Sequence, residues 1–281
     1  YIRSLLKPSV QIMAMVKAFA YGSGSSEVAA ALEYSGVDYL AVAYADEGIA
    51  LRESGIKTPI MVLNPVSSAY DSMIRYGLEP QIYSFLTLEK FKIAMSVHSE
   101  QMPYRIHLKV DTGMNRLGFD LTEIDRLSDE LLSLKNQMTV YSAFSHLAGS
   151  DDEKFDELTK SQISRFNDAC QKLEQKGITG FIRHILNSNG ILRHKEAQMD
   201  MVRLGLGLYG LSANKKFRKR LQPIGRLKTV LSQIRIAPKG QGIGYSPKHI
   251  LTSNKRIGII AMGYADGLPR ALGNGNGQVY I

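Results

Sequence analysis

A single cysteine in 281 residues excludes an internal disulfide, so this chain relies on packing and hydrogen bonds alone. That residue, Cys170, lies in the helical pattern RFNDACQKL and reads as a small core side chain, which suits a reducing, cytoplasmic setting. No apolar run approaches the length of a membrane span and no signal-peptide pattern opens the chain, so no membrane partner is expected. The 6 histidines are scattered and no HExxH occurs, which leaves metal catalysis without support and no metal site expected. Short internal repeats are absent, which excludes a solenoid. Acidic residues run short: 26 against 35 lysines and arginines leave a net charge of +9, a balance that fits an anionic ligand. The basic residues are nevertheless spread out. The densest run, KKFRKR from Lys215 to Arg220, is surrounded by no aromatic-interleaved or helix-turn-helix pattern, so it reads as a solvated linker and no nucleic acid is expected as partner. An initiating methionine is missing too. The chain opens on Tyr1 and closes on GQVYI, which reads as a strand cut short, so a fragment truncated at both ends is expected.

What is present is apolar mass: hydrophobic residues make up 44% of the chain, enough for one large domain or a large and a small one. Short runs rich in Val, Ile, Leu and Met occur at QIMAMVKA, YLAVA, PIMVLNP, EPQIYS, RIHLKVDT, VYSAFSHL, IRHILNS and MVRLGLGLYG. Amphipathic stretches such as SSEVAAALEYSG, ADEGIALRESG and DLTEIDRLSDELLSLK lie between them, several opening on Ser, Thr or Asp and closing at Gly. Strands apolar on both faces and alternating with helices predict an α/β fold, a parallel (β/α)8 TIM-like barrel. Near Pro223 the pattern changes. TVLSQIRIA, GQGIGYS and RIGIIAMGYA read as strands with no helical segment between them, so a mostly β domain is expected over 223–281 after a barrel over 1–222.

In such barrels the reactive groups stand where strands end at the C-terminal face. Lys17, Lys109, Arg116, His146, Asn187, Ser188 and Arg203 all fall at or just beyond strand ends. Each alone is an ordinary loop residue; together on one face they indicate a site. Lys17, which closes the strand of QIMAMVKAFAYGSG, has two local readings: a side chain whose stem packs while its amine reaches water, or a Schiff-base lysine with a lowered pKa.

KAFAYG resembles the pyridoxal-phosphate signature of the alanine racemase family. Further matches to that family follow in order at KVDTGMNRLGF, FSHLAGSDD, NSNGIL, VRLGLGLYG, GYS and GYADGLPR, covering nearly the whole chain. The resemblance implies a barrel followed by a β-domain, pyridoxal 5'-phosphate as cofactor, and interconversion of L- and D-alanine by two bases, supplying D-alanine for peptidoglycan. By resemblance Lys17 is the Schiff-base lysine and the base on one face of the substrate. Tyr245 is the base on the other face and comes from the partner subunit of a homodimer. An unperturbed tyrosine titrates near about 10, so it needs help to act as a base near neutrality. The family supplies it through a chain from the tyrosine by way of His146 to Arg203. Arg203 also donates to the pyridine nitrogen and keeps it unprotonated, a weaker electron sink that favours rapid proton return.

The remaining roles follow the same motifs. Tyr21, Asn187, Ser188 and the backbone near Gly205 and Leu206 hold the cofactor and its phosphate; Arg116 reaches the cofactor's phenolic oxygen and the substrate carboxylate. Lys109, as a carbamate in many relatives, holds Arg116, and Tyr264 lines the substrate entrance. Gly205 to Gly210 also spells GxGxxG, but no acidic residue stands about 20 positions on, so a dinucleotide fold is rejected. Departures from the family pattern are Phe19 for Asp or Asn, Ser23 for His, and Asn115 for Gly. Two other readings compete. A broad-specificity racemase or a basic-amino-acid decarboxylase would share the barrel and the lysine; a non-catalytic pyridoxal-phosphate carrier would lack a second domain, so residues 223–281 count against it.

Overall fold

Strands buried on both faces need helices outside them and side chains filling the middle, and the alternation along Gln11–Met15 provides both. The computed structural model describes residues 1–98, 103–212, 214–245 and 250–280. It falls into two compact units, Tyr1–Ile224 and Gly225–Ile281. In the first, the strands are β1 (Gln11–Met15), β2 (Tyr39–Val42), β3 (Ile60–Val62), β4 (Leu78–Ile82), β5 (Tyr104–Lys109), β6 (Met138–Phe144), β7 (Ile182–His184) and β8 (Met201–Leu204). They pair in parallel in the order β7-β6-β5-β4-β3-β2-β1-β8. The ring closes between β7 and β8, where Asp200 N–H donates to Arg183 O at 3.1 Å and Arg203 N–H to Leu186 O at 3.0 Å. The expected eight-stranded barrel is therefore the observed one.

Ile12, Ala14 and Val16 point outward into a large core shared with the helices, whereas Met13 and Met15 join Tyr39, Ala41, Met61, Phe144 and Met201 in a smaller cluster inside the ring. Methionine suits that tapering interior because its unbranched chain fills irregular gaps. The helical segments of this unit, in chain order, are α1 (Lys17–Gly22), α2 (Ser25–Tyr34), α3 (Ala45–Glu53), α4 (Tyr70–Arg75), α5 (Phe85–Met95), α6 (Ile124–Ser133), α7 (Asp156–Gln175), α8 (Ser188–Arg193) and α9 (Lys215–Arg218). Cys170 is fully buried on the inner face of α7, beside Phe166 and Leu173 in the helix's buried row. The run expected as a linker instead opens with the single helical turn of α9, and its residues Arg218, Lys219 and Arg220 are exposed. No helix among the described residues is long and apolar enough to cross a membrane.

The second unit carries an antiparallel pair, β9 (Leu231–Ala237) with β10 (Lys255–Ile260), in which Ile257 faces Arg235. The strand expected at GQGIGYS is absent among the described residues and reduces to one bridge, Gly242 to Ile250. Gly240 and Gly244, at φ +83 and +74, break the extended chain there. Two short 3-10 turns, Tyr264–Asp266 and Arg270–Leu272, stand where no helical segment was expected. The first is set by Asp266, whose carboxylate accepts the Gly263 N–H at 2.9 Å. The closing GQVYI forms no strand over Gly277 to Tyr280, and Ile281 lies outside the described residues.

One loop fixes the mouth of the barrel. After β5 the chain folds back so that Asp111 N–H donates to Phe119 O at 3.0 Å and Phe119 N–H to Lys109 O at 2.9 Å. The Asp111 carboxylate accepts the N–H groups of Gly113, Met114 and Asn115 at 2.9, 3.0 and 3.2 Å. Gly118 sits at φ +133, and a Cβ there would lie 2.5 Å from Asp111 N and 2.7 Å from Val110 C. Gly118→Ala should therefore destabilise the first unit by about 3 kcal/mol, overpacking added to a disfavoured φ. Urea unfolding of the two proteins checks this, and equal midpoints would refute it.

Candidate active site

β1 ends in a conformation that non-glycine residues avoid. Ala18, Phe19, Ala20 and Tyr21 all lie in the left-handed region, with φ between 51 and 55. Each such residue costs roughly 1–2 kcal/mol relative to the right-handed form. The turn is held from outside by Glu47 in the first turn of α3: one carboxylate oxygen accepts the Ala18 N–H at 2.6 Å, the other those of Ala43 and Tyr44 at 2.6 and 3.0 Å. Lys17, half-buried at the head of this turn, and Tyr21, at its end, both face a cavity of about 630 Å³ at the barrel mouth.

The cavity gathers Lys109, Arg116, His146, Asn187, Ser188, Arg203, Gly205 and Leu206 as well. Tyr245 and Tyr264 belong to the second unit, where both are exposed; the Arg270 guanidinium lies 5.5 Å from the centre of the Tyr264 ring. Among the cavity's described lining residues four are cationic and none is acidic, which makes it a receptor for anions.

At one end three groups converge. Ser188 Oγ accepts the N–H groups of Gly205 and Gly207 at 2.9 and 3.2 Å. A Cβ on Gly205 would stand 3.2 Å from the Tyr21 hydroxyl, a tight contact that would press on that side chain. Burial raises the Tyr21 phenol above its ordinary value and keeps it a donor. The Gly205 N–H, expected to meet a phosphate, is committed to Ser188 Oγ; the Ser188 hydroxyl hydrogen remains to be donated. Asn187 Oδ1 caps α8 by accepting the Gly190 N–H at 2.9 Å, and also accepts from the Ser150 hydroxyl at 2.7 Å, so its oxygen orients the loop.

At the other end Arg203, on β8, is 4% exposed. Its Nη1 donates to His184 Nδ1 at 2.7 Å and His184 O at 3.1 Å. Its Nη2 donates to Ser145 O, to Ile185 O at 3.1 Å and to His146 Nδ1 at 3.3 Å. Among the described residues no acceptor meets Nε–H, and the residue lines the cavity. Burial brings the guanidinium down to about 9, which leaves it cationic at neutrality. Its neighbours respond. Burial first, then Arg203, Lys109, Arg116 and Lys17, push His146 down to about 2, and burial with Arg203 holds His184 well below its ordinary value. Burial, Arg203 and Arg116 likewise hold the Lys109 amine well below the usual lysine range.

Phe144, absent from the expected set, separates these cations. The Lys109 amine lies 4.8 Å and the Arg203 guanidinium 5.2 Å from its ring centre, and His184 stacks on it at 4.9 Å. It stands inside the FSHL motif, which was its only signal. Glu47 was missed because ADEGIALRESG reads as a helix opening on acidic residues, with nothing to mark its contact with Ala18.

Two outcomes follow. A histidine neutral in the folded chain but of ordinary value, 6.5, when unfolded makes the unfolded state bind the extra proton between about 6.5 and about 2. Stability therefore falls as pH drops through that window. His146→Gln should flatten the slope by up to about 1.4 kcal/mol per pH unit, read from urea midpoints of the cofactor-free chain between pH 6.5 and 4; an unchanged slope would mean His146 is not neutral by burial. Phe19→Asn, better suited to a left-handed φ, should raise the unfolding free energy by about 0.5–1 kcal/mol, a gain that the same titration at pH 7 would detect.

Comparison with known proteins agrees with this arrangement. The family described as "Alanine racemase, N-terminal domain" matches residues 1–213, and "Alanine racemase, C-terminal domain" matches residues 224–281. A serine/alanine racemase of Enterococcus gallinarum is 37% identical over 97% of this chain, which spans only 39% of that protein. An alanine racemase of Carboxydothermus hydrogenoformans is 34% identical over 96% of the chain, which spans 73% of it. Among solved structures, the alanine racemase of Clostridium difficile superposes with a TM-score of 0.86 at 33% identity, over 96% of this chain and 70% of that one. That of Bacillus anthracis with bound L-Ala-P gives 0.80 at 28%, over 95% and 69%. With both family domains matched in order, and a barrel mouth that gathers the family's lysine, arginines and histidine, this chain belongs to the alanine racemase family.

Proposed function

We propose that the parent protein interconverts L- and D-alanine, with pyridoxal 5'-phosphate held in the barrel cavity, and so supplies D-alanine for the cell wall from the cytoplasm. The observation that carries this reading is that Lys17 shares its cavity with a buried cation, Arg203, whose Nε–H meets no acceptor among the described residues. The donor set fits the cofactor's two ends. Tyr21, the Ser188 hydroxyl and the first N–H of the turn at Leu206, which has no intrahelical acceptor, suit a phosphate. Arg203 Nε–H suits a ring nitrogen. When bound, the cofactor supplies an electron sink for the bond to the α-proton.

The chain's own groups do the rest. Lys17 Nζ takes or returns the α-proton on one face. Tyr245 of the partner subunit does so on the other face, in a homodimer whose sites draw on both chains. His146, neutral and with Nδ1 on the Arg203 guanidinium, presents its other ring nitrogen as a donor that can stabilise the Tyr245 phenolate. Arg203 keeps the ring nitrogen bare: two like charges 4 Å apart repel by about 4 kcal/mol at an effective dielectric of 20, about three pKa units. Arg116 binds the substrate carboxylate. Lys109, whose amine burial and the neighbouring cations push toward the neutral form, can in that form attack carbon dioxide, forming a C–N bond and losing a proton to give a carbamate that would anchor Arg116. Tyr264 contributes to the substrate pocket and its entrance. In this reading residues 1–222 bind the cofactor and 223–281 begin the domain that supplies the second base.

A broader reading has its own support, since the relative at 37% identity is named a serine/alanine racemase. Rates with L-alanine and L-serine separate the two.

In the full parent chain loaded with cofactor, borohydride should fix the label on Lys17, and peptide mapping that finds it on another lysine would overturn the assignment. Tyr245→Phe should keep exchange of the D-alanine α-proton in heavy water while losing conversion of L-alanine. Equal loss of both would rule out two separate bases.

A further inference from the structure

Below the cavity the barrel interior is polar along one diagonal. Glu79 on β4, His107 on β5, Ser142 on β6 and His184 on β7 are each at most 9% exposed, and each bonds to the next. His107 Nε2 lies 2.8 Å from Glu79 Oε2, His107 Nδ1 2.7 Å from Ser142 Oγ, and His184 Nε2 2.9 Å from the same hydroxyl. Arg203 Nη1 on His184 Nδ1 completes a line across five consecutive strands of the ring. Glu79 stands near the start of its strand, away from the cavity, and Arg203 lines the cavity.

We propose that Glu79 is a positioning residue for Arg203, acting through a one-way hydrogen-bond relay in which every donor points from the guanidinium toward the carboxylate. The direction follows from the donors available. Arginine has no acceptor, so His184 Nδ1 must be bare. A neutral His184 then carries its hydrogen on Nε2 and donates it to Ser142 Oγ. The Ser142 hydroxyl hydrogen has one other partner, His107 Nδ1, which must also be bare. His107 therefore carries its hydrogen on Nε2 and donates it to Glu79. Tyr39 donates to the same Glu79 oxygen at 3.0 Å, and its phenol is held protonated by burial and by that carboxylate. Reversing any link sets two donors or two acceptors against each other in a buried site. A charged His107 would donate from both nitrogens and leave the serine hydrogen without an acceptor. The carboxylate thus fixes which nitrogen of His184 faces Arg203, and with it the plane of the guanidinium and the aim of Nε–H.

This role rests on the racemase reading, yet its first test does not. In the cofactor-free chain with nitrogen-15 histidine, His107 and His184 should both show the Nε2–H tautomer with Nδ1 bare; an Nδ1–H tautomer at either would overturn the relay without any variant. In the loaded parent protein, Glu79→Met should mix the tautomers of both histidines and lower kcat about fivefold or more, with KM for alanine within about twofold. Ser142→Ala should leave His107 fixed on Glu79 while freeing His184, and adding Glu79→Met to it should lower kcat no further. Losses that multiply, or a Glu79→Met protein with unchanged His184 shifts, would overturn the relay. Racemisation by the unaltered parent chain judges the functional reading separately, so failure of one is not mistaken for failure of the other.

Discussion

A guanidinium almost wholly withdrawn from water must be solvated by the protein, and the upper barrel is organised around doing that for Arg203. Three backbone carbonyls, from Ser145, His184 and Ile185, and two bare imidazole nitrogens take its Nη hydrogens. The carbonyls come from the ends of β6 and β7, so the charge also helps to hold the last part of the ring together where β7 and β8 share few ladder bonds. Its field then sets the state of its surroundings. His146 and His184 stay neutral and Lys109 is driven toward the free amine.

The second constraint is strain at the lysine. Four left-handed residues in succession are unfavourable by several kcal/mol in total, at roughly 1–2 kcal/mol each. They persist because Glu47 grips the first N–H of the turn together with the loop after β2, and because Tyr21 packs at 4.9 Å against Tyr209, which is anchored by its hydroxyl to Met15 O. The short left-handed turn keeps Lys17 and Tyr21 on the same cavity, so an amine and a phenol reach it from one strained segment.

The sequence made the barrel legible because its strands are apolar runs buried on both faces, and burial leaves a compositional mark. The strand misread at GQGIGYS had that composition only in part; its glycines at positive φ decided otherwise. Motif departures also became intelligible in structure. Asn115, where the family motif led to an expectation of glycine, sits at φ 54, a conformation asparagine tolerates; Phe19 has no such excuse and is 65% exposed. Within the barrel, every residue expected at the site lines one cavity, since strand ends converge by geometry. Glu47, Phe144 and Ser142 stayed hidden for the opposite reason. Their contacts with Ala18, the cations and the two histidines run across elements far apart in sequence, and only Phe144, inside FSHL, carried any local signal.

Concentrating Lys17, Lys109, Arg116 and Arg203 around one cavity without a carboxylate in its lining works against the folded state before any ligand arrives. An anion that binds only this arrangement recovers the repulsion as binding energy and shifts the folding equilibrium toward it. The relay's carboxylate, Glu79, lies outside the cavity, bonded to His107 and 3.9 Å from the Arg105 guanidinium, so it does not occupy the place an anionic group would take. Placing the negative charge at the foot of the barrel and the positive charges at its mouth lets the cavity stay cationic while the barrel's interior polar line remains satisfied.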